Sequence, residues 1–166
     1  MTGVEDAQPA GRLVEGVTRI TAWCGGIVLL LAGGIVTASV LLRWLLGSGI
    51  DGDFEMMEMA TALAVFAFLP FCQARRGNIM VDTFTGWMSP RGRRLLDAFW
   101  DLTWAGFAVL IAWQAFKGGL EEIGYGTTSM SAGIPVGPVI VATALLAGLL
   151  AAVALVTAIR LATGRS

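Results

Sequence analysis

The sequence predicts an all-α integral membrane protein with four transmembrane helices, and three observations carry the prediction. Of 166 residues, 56% are hydrophobic and only 14% charged, with a mean hydropathy of +0.75. A soluble domain of this size has too small a core to hide so much apolar side chain, so the natural solvent is a bilayer. The apolar residues fall into four runs near the length of about 20 residues that a helix needs to cross the hydrocarbon layer. The charges fall between these runs. An open sheet edge cannot be satisfied in lipid, so all four runs are read as helices.

The spans cover about 23–46, 54–72, 95–116 and 135–161 within a membrane domain of 20–162, flanked by tails at 1–19 and 163–166. The first run is much longer than the roughly 7–15 residue core of a secretory signal, and no small-residue cleavage site follows it. It is read as an uncleaved span. Arg12 and Arg19 precede it, Arg75, Arg76, Arg91, Arg93 and Arg94 lie between spans two and three, and Arg160 and Arg165 close the chain. At the other surface only Arg43 and Lys117 are basic, beside Asp51, Asp53, Glu55, Glu121 and Glu122. The excess of arginine on one side predicts both termini and the middle loop in the cytoplasm.

Span one, "WCGGIVLLLAGGIVTASVLLRWLL", carries Trp23 as an interfacial anchor and Gly34 and Ala38 as a small-residue pair at four-residue spacing. Span four repeats the pattern with Ala144, Gly148 and Ala152. Small residues let helix backbones approach closely. Two readings stand for both faces: packing within the chain, or packing against a partner.

Span two opens "GDFEMMEMATALAVFAFLPF". Asp53 is expected as its N-cap, and Glu55 and Glu58 lie one turn apart on one face, where carboxylates gain from the helix dipole. Glu58 lies deeper, and a charge at the centre of a span costs about 2.5–3.5 kcal/mol on insertion scales, less near the rim. Arg43, at a similar expected depth, is its natural partner. A cluster of Arg43, Glu55 and Glu58 either fastens span one to span two or faces the polar groups of another protein.

The stretch "FCQARRGNIMVDTF" follows. Arg75 and Arg76 stand where anionic headgroups would be. Ile79, Val81, Phe84, Trp87 and Met88 are then mixed with polar residues as an interfacial amphipathic segment between spans two and three, with Trp87 at headgroup level. Ser89-Pro90 reads as the start of the third helix. Asp97 and Asp101 share a face with Arg93 and Arg94, which suits ion pairs on its first turns. "KGGLEEIGYGTTSMSAGIPVGP" reads as a flexible acidic loop, with Pro135 and Pro138 in the opening turn of the fourth helix.

The chain contains no histidine, which excludes bis-histidine haem, H-E-x-x-H zinc chemistry and a Ser-His-Asp triad. It has no G-x-x-x-x-G-K-[ST] loop. Cys24 and Cys72 form no C-x-x-C pair and read as small hydrophobes. No catalytic, cofactor, metal or nucleic-acid-binding set is expected, and the chain does not read as an enzyme.

The order of these features is itself informative: a carboxylate pair opening span two, an apolar run ending in Ala74-Arg75, the phrase "RRGNIMVD", an aromatic interfacial stretch and an arginine-rich start to span three. From about Ile20 to Leu161 this resembles the small membrane subunit of the tripartite ATP-independent periplasmic (TRAP) transporters, the DctQ-type small permease. In that family the phrase after span two commonly reads basic residue, glycine, histidine, an aliphatic residue, any residue or valine, then aspartate. Gly77, Ile79, Val81 and Asp82 match it, with Asn78 where histidine is usual. The approach to span four ending at Ile134-Pro135 is also similar.

The resemblance implies a subunit of the bacterial inner membrane, partnered by a large multi-spanning permease and a periplasmic solute-binding receptor that delivers an organic acid anion, with sodium as the coupling ion. It implies a scaffolding role among membrane lipids, with no cofactor and no nucleic acid. The alternatives are an autonomous small four-helix transporter, against which the lack of Asp and Glu in span one counts, and an assembly subunit of another membrane complex. Asp82 is expected to pin the interfacial segment against Arg75 or Arg76. Asp82→Ala should therefore lower the yield of the assembled complex in a co-purification, and unchanged assembly and transport would remove that role.

Overall fold

The computed structural model describes residues 11–75 and 89–163. The expected interfacial segment, with Arg76, Gly77, Asn78, Asp82 and Trp87, lies outside the described residues. Those described form four helices, α1 (Arg12–Leu46), α2 (Asp53–Ala74), α3 (Pro90–Tyr125) and α4 (Val136–Thr163). Each is long and apolar enough to cross a membrane.

Local chemistry sets the ends of these helices. Gly47 closes α1 in the left-handed region at φ 77°, donating its N–H to the Arg43 carbonyl at 3.1 Å, a glycine stop with no Cβ penalty. Ser89 caps α3 by accepting from the Gly92 N–H at 3.3 Å, with Pro90 at the first helical position, as the sequence predicts. Gly126 then ends α3 in the left-handed region at φ 65°.

Two of the helices outrun their apolar segments. α1 begins at Arg12, inside the stretch expected as a tail, and its 35 residues make a rod of about 52 Å. α3 continues through Lys117–Tyr125, which the sequence reads as flexible loop because of its glycines. Gly118 and Gly124 meet nothing within 4 Å, but Gly119, with Gly137 of α4, serves contact. A Cβ on Gly119 would sit 2.7 Å from Val141 Cγ2, and one on Gly137 would sit 2.6 Å from Ile123 Cγ1, so their absence lets α3 and α4 stay pressed together beyond the expected span. The connection that remains, residues 126–135, is drawn in by a bridge between Thr128 and Pro135 and by the Ser129 N–H donating to the Ile134 carbonyl at 2.9 Å.

The helices are arranged in a row. α1 packs on α2, α2 on α4, and α4 on α3, so two hairpins meet along α2 and α4, with α1 and α3 at the ends. The start of α1 and the end of α4 mark a terminal end, and residues 47–52 and 126–135 mark a loop end.

Packing is carried by small side chains, as expected where lipid removes the hydrophobic drive between helices and close van der Waals contact must replace it. On α1 the buried positions are Thr18, Gly25, Ala32 and Ser39, a seven-residue repeat that keeps one seam facing its neighbour. A Cβ on Gly25 would come within 2.7 Å of Ala67 Cβ on α2. The Gly34–Ala38 pair is exposed, and a Cβ on Gly34 would meet nothing within 4 Å. Gly34 lies two residues from Ala32, about 200° round the helix, so it faces away from α2. In the α4 trio, Ala144 is buried, Gly148 half-buried and Ala152 exposed. The tight face of α4 is built from Ala147, Leu150, Ala151, Ala154 and Ala158.

Paired substitutions test the seam. Gly25→Ala should destabilise the detergent-solubilised chain by about 1–3 kcal/mol, the usual cost of forcing atoms into a packed contact. Gly34→Ala should be neutral or stabilise by up to roughly 1 kcal/mol through helix propensity. Thermal unfolding of both variants checks the contrast, and equal effects would contradict this packing.

Candidate functional site

Polar side chains gather at the two ends of the row. At the loop end, Ser39 is fully buried on α1. Its hydroxyl donates to Asp53 Oδ2 at 2.7 Å and accepts from the Ile50 N–H at 2.9 Å. Asp53 Oδ1 accepts from the Phe54 N–H at 2.8 Å, and Arg43 Nη2 lies 3.6 Å from Oδ2. The carboxylate is buried while the guanidinium is half exposed, so the hydroxyl and backbone donors hold the charge that the arginine balances from the rim. Gly49 makes room for this arrangement, since a Cβ there would fall 2.8 Å from Ser39 Oγ.

Asp53 is thus the first residue of α2 and not its N-cap. Gly52 occupies the cap position in the left-handed region at φ 77°, and a Cβ on it would collide with Ala132. Glu55 faces the same 126–135 connection, accepting from the Ser131 N–H at 3.0 Å and the Ala132 N–H at 2.9 Å. Contact and hydrogen bonds together clamp the start of α2 to the α3–α4 turn.

The expected cluster of Arg43, Glu55 and Glu58 is therefore divided. Arg43 faces Asp53, because the short turn after α1 returns the first acid of α2 to its side, while Glu55 turns toward the second hairpin. Glu58 is exposed and has no hydrogen-bond or ion-pair partner among the described residues.

At the terminal end Arg75 Nη2 meets Glu15 Oε1 at 3.0 Å, joining α2 to α1, and its guanidinium lies 4.9 Å from the centre of the Phe71 ring. Deeper in, Gln73 is 3% exposed. Its Nε2 donates to Asp101 Oδ1 on α3 at 3.0 Å and reaches Thr157 Oγ1 on α4 at 3.4 Å. One amide thereby touches three helices. Asp101, expected beside Arg93 and Arg94 on the surface of its own helix, turns inward to this amide. Its Oδ2 is buried with no hydrogen-bond partner among the described residues. The sequence signal for the node was present: Gln73 is the amide that interrupts the apolar end of span two. Ser39 and Thr157 gave none, since hydroxyls that bond their own helix backbone are ordinary in membrane spans.

A groove of about 960 Å³ opens between α3 and α4, with Leu102, Val109 and Trp113 on one wall and Leu145 and Leu155 on the other. Gly148, from the expected packing face of span four, lies on its floor, and the lining is mostly apolar. Trp23 is exposed on α1, and Cys24 and Cys72 are free thiols on the helix surfaces. No group of three His, Cys, Asp or Glu side chains that could hold a metal ion occurs among the described residues.

The family model for tripartite ATP-independent periplasmic transporters, DctQ component, matches residues 32–164. The chain belongs to the DctQ family. Comparison with curated proteins and with solved structures found no match. The DctQ match takes in the last turns of α1 and all of α2, α3 and α4, and so includes both the Ser39–Asp53 cluster and the Gln73 node. As a DctQ chain with four spanning helices, the protein is the small component of a TRAP transporter and a multi-pass bacterial membrane protein.

Ser39→Ala should cost about 1–3 kcal/mol, because it leaves a buried carboxylate oxygen and the Ile50 N–H short of a partner. Chemical unfolding in mixed micelles checks this, and an unchanged midpoint would show that water replaces the hydroxyl.

Proposed function

We propose that this DctQ chain is the rigid brace of a secondary active, receptor-dependent TRAP transporter that imports an organic acid anion. The observation that carries the reading is where the polar side chains of the spans are spent. Ser39 with Asp53, Glu55 with the 131–132 backbone, and Gln73 with Asp101 and Thr157 each tie one helix or hairpin to another. A rigid, largely apolar element of this kind suits holding the static part of a large permease in place while its transport domain moves. The permease would hold the substrate and coupling-ion sites, with sodium expected for the ion.

The distribution of arginine supports a placement in the inner membrane with both termini in the cytoplasm. The loop end, with Asp51, Asp53 and Glu55, then faces the periplasm, where the clamped 126–135 connection and the exposed Glu58 offer a firm acidic surface to a solute-binding receptor. In the same frame Arg75 and the Gly77–Asp82 phrase lie at the cytoplasmic side, among lipid headgroups and the inner surface of the permease.

Reconstitution tests the reading. The large permease should co-purify with this chain in near-equal amount, and receptor-dependent uptake of a labelled organic anion into proteoliposomes should be lost without the chain and return when it is added. Transport by the chain alone would establish an autonomous small transporter, and recovery with an unrelated complex would establish an assembly subunit. Either result overturns the brace.

A further inference from the structure

On α3, the residues Trp100, Trp104, Phe107, Ile111, Gln114 and Gly118 recur at alternating spacings of four and three, the repeat that keeps a single helical seam in line. The seam is turned away from Ala98, Ala105 and Ala108, which are buried. α3 stands at the end of the row, and along the seam Trp100 is 61% exposed and Phe107 59%.

Two of these residues are poorly suited to lipid. Ala108 packs with Leu150 and Ala151 near the middle of α4, which places Trp104 and Phe107 close to mid-membrane. Tryptophan otherwise concentrates at headgroup level, where its N–H finds partners. Gln114 lies about 9 Å along the helix from Ala108, inside the hydrocarbon half-thickness of about 15 Å. Its amide is exposed and has no hydrogen-bond partner among the described residues. Acyl chains offer it nothing, whereas a polar side chain on a neighbouring helix would. About one turn further on, Lys117 is exposed, its Nζ 5.8 Å from the centre of the Trp113 ring and with no ion pair among the described residues.

Of the other outward faces, α2 carries one unpartnered polar group near this depth among the described residues, Glu58. The α3–α4 groove is mostly apolar, with the Trp113 indole as its one polar-tipped side chain. On α1, the exposed Thr37 satisfies itself by donating to the Gly33 carbonyl at 2.8 Å.

We infer that the Trp104–Phe107–Ile111–Gln114 seam is where a transmembrane helix of the large permease docks, presenting a hydrogen-bonding side chain to Gln114 and a carboxylate to Lys117. The inference rests on the small-subunit reading above and adds the face and the chemistry of the contact. The apolar part of the seam supplies packing area. Gln114 fixes the register, because only one alignment gives its amide a partner, and Lys117 selects an acidic neighbour where the helix leaves the hydrocarbon layer.

The test uses the complete transporter in native membranes. A photo-crosslinking residue is placed at 107, 111 or 114, with Leu30 of α1, 78% exposed, as the lipid-facing reference. Wild-type chain is purified in parallel, with the permease identified by mass spectrometry. The inference expects adducts with the permease at 107, 111 and 114 well above the level at Leu30. It also expects Gln114→Leu to lower permease recovery severalfold while the isolated chain unfolds at an unchanged midpoint. If wild-type chain brings down the permease but these positions label only lipid or a second copy of the chain, the seam is wrong and the brace stands. If wild-type chain recovers no permease, the brace itself fails and the seam with it.

Discussion

The junction between α2 and α4 is the constraint on which the rest of the chain depends. It is the main contact between two otherwise separate hairpins, and it must form without the hydrophobic drive available in water. Its means are short side chains and a few hydrogen bonds. Ala74 meets Val153, Leu69 packs toward Leu150, and Gln73 reaches Thr157. Glu55 pins the same junction at the loop end through the 131–132 backbone. With both ends held, α1 and α3 each pack mainly on one neighbour, which leaves their outer faces open.

Burial in this chain follows side-chain size more than polarity. The buried apolar residues are mostly alanine, while the exposed set includes tryptophan, phenylalanine and leucine in number. That inverts the order of a soluble core. It follows from the solvent: lipid accepts large apolar side chains at no cost, and the interior is reserved for groups that let backbones touch or that need hydrogen bonds. The buried Thr18, Ser39, Asp53, Gln73 and Thr157 are the second kind, and each of them finds a partner in a neighbouring helix or in its own backbone.

The same inversion explains what the sequence reveals and what it conceals. The four spans, the Ser89-Pro90 helix start and the family are legible, since they depend on hydropathy, local capping and the order of features along the chain. Packing faces are not. A helix apolar on every side has no amphipathic stripe to mark its buried face, so the Gly34–Ala38 pair and the Thr18–Gly25–Ala32–Ser39 stripe look equally good until a neighbour is placed. Gly119 reads as loop because its use, contact with α4, is invisible in the order of residues along the chain. The partner of Arg43 is hidden for a related reason. Depth alone makes Glu58 attractive, but the reach of the 47–52 turn decides for Asp53.

The unequal lengths of neighbouring helices carry a consequence at the membrane surface. α2, with 22 residues, is about 33 Å long, close to the roughly 30 Å hydrocarbon thickness. α1, packed against it, is about 52 Å, but only its run from Trp23 to Leu46, about 36 Å, is the apolar segment. One bilayer thickness therefore suits both helices. The surplus of α1 is its first three turns, which carry Glu15 and Arg19 and reach Arg75 through Glu15. Charges there keep those turns out of the hydrocarbon, so they stand among the headgroups as a helical post. Whatever approaches the terminal end of the row meets that post before it meets the membrane.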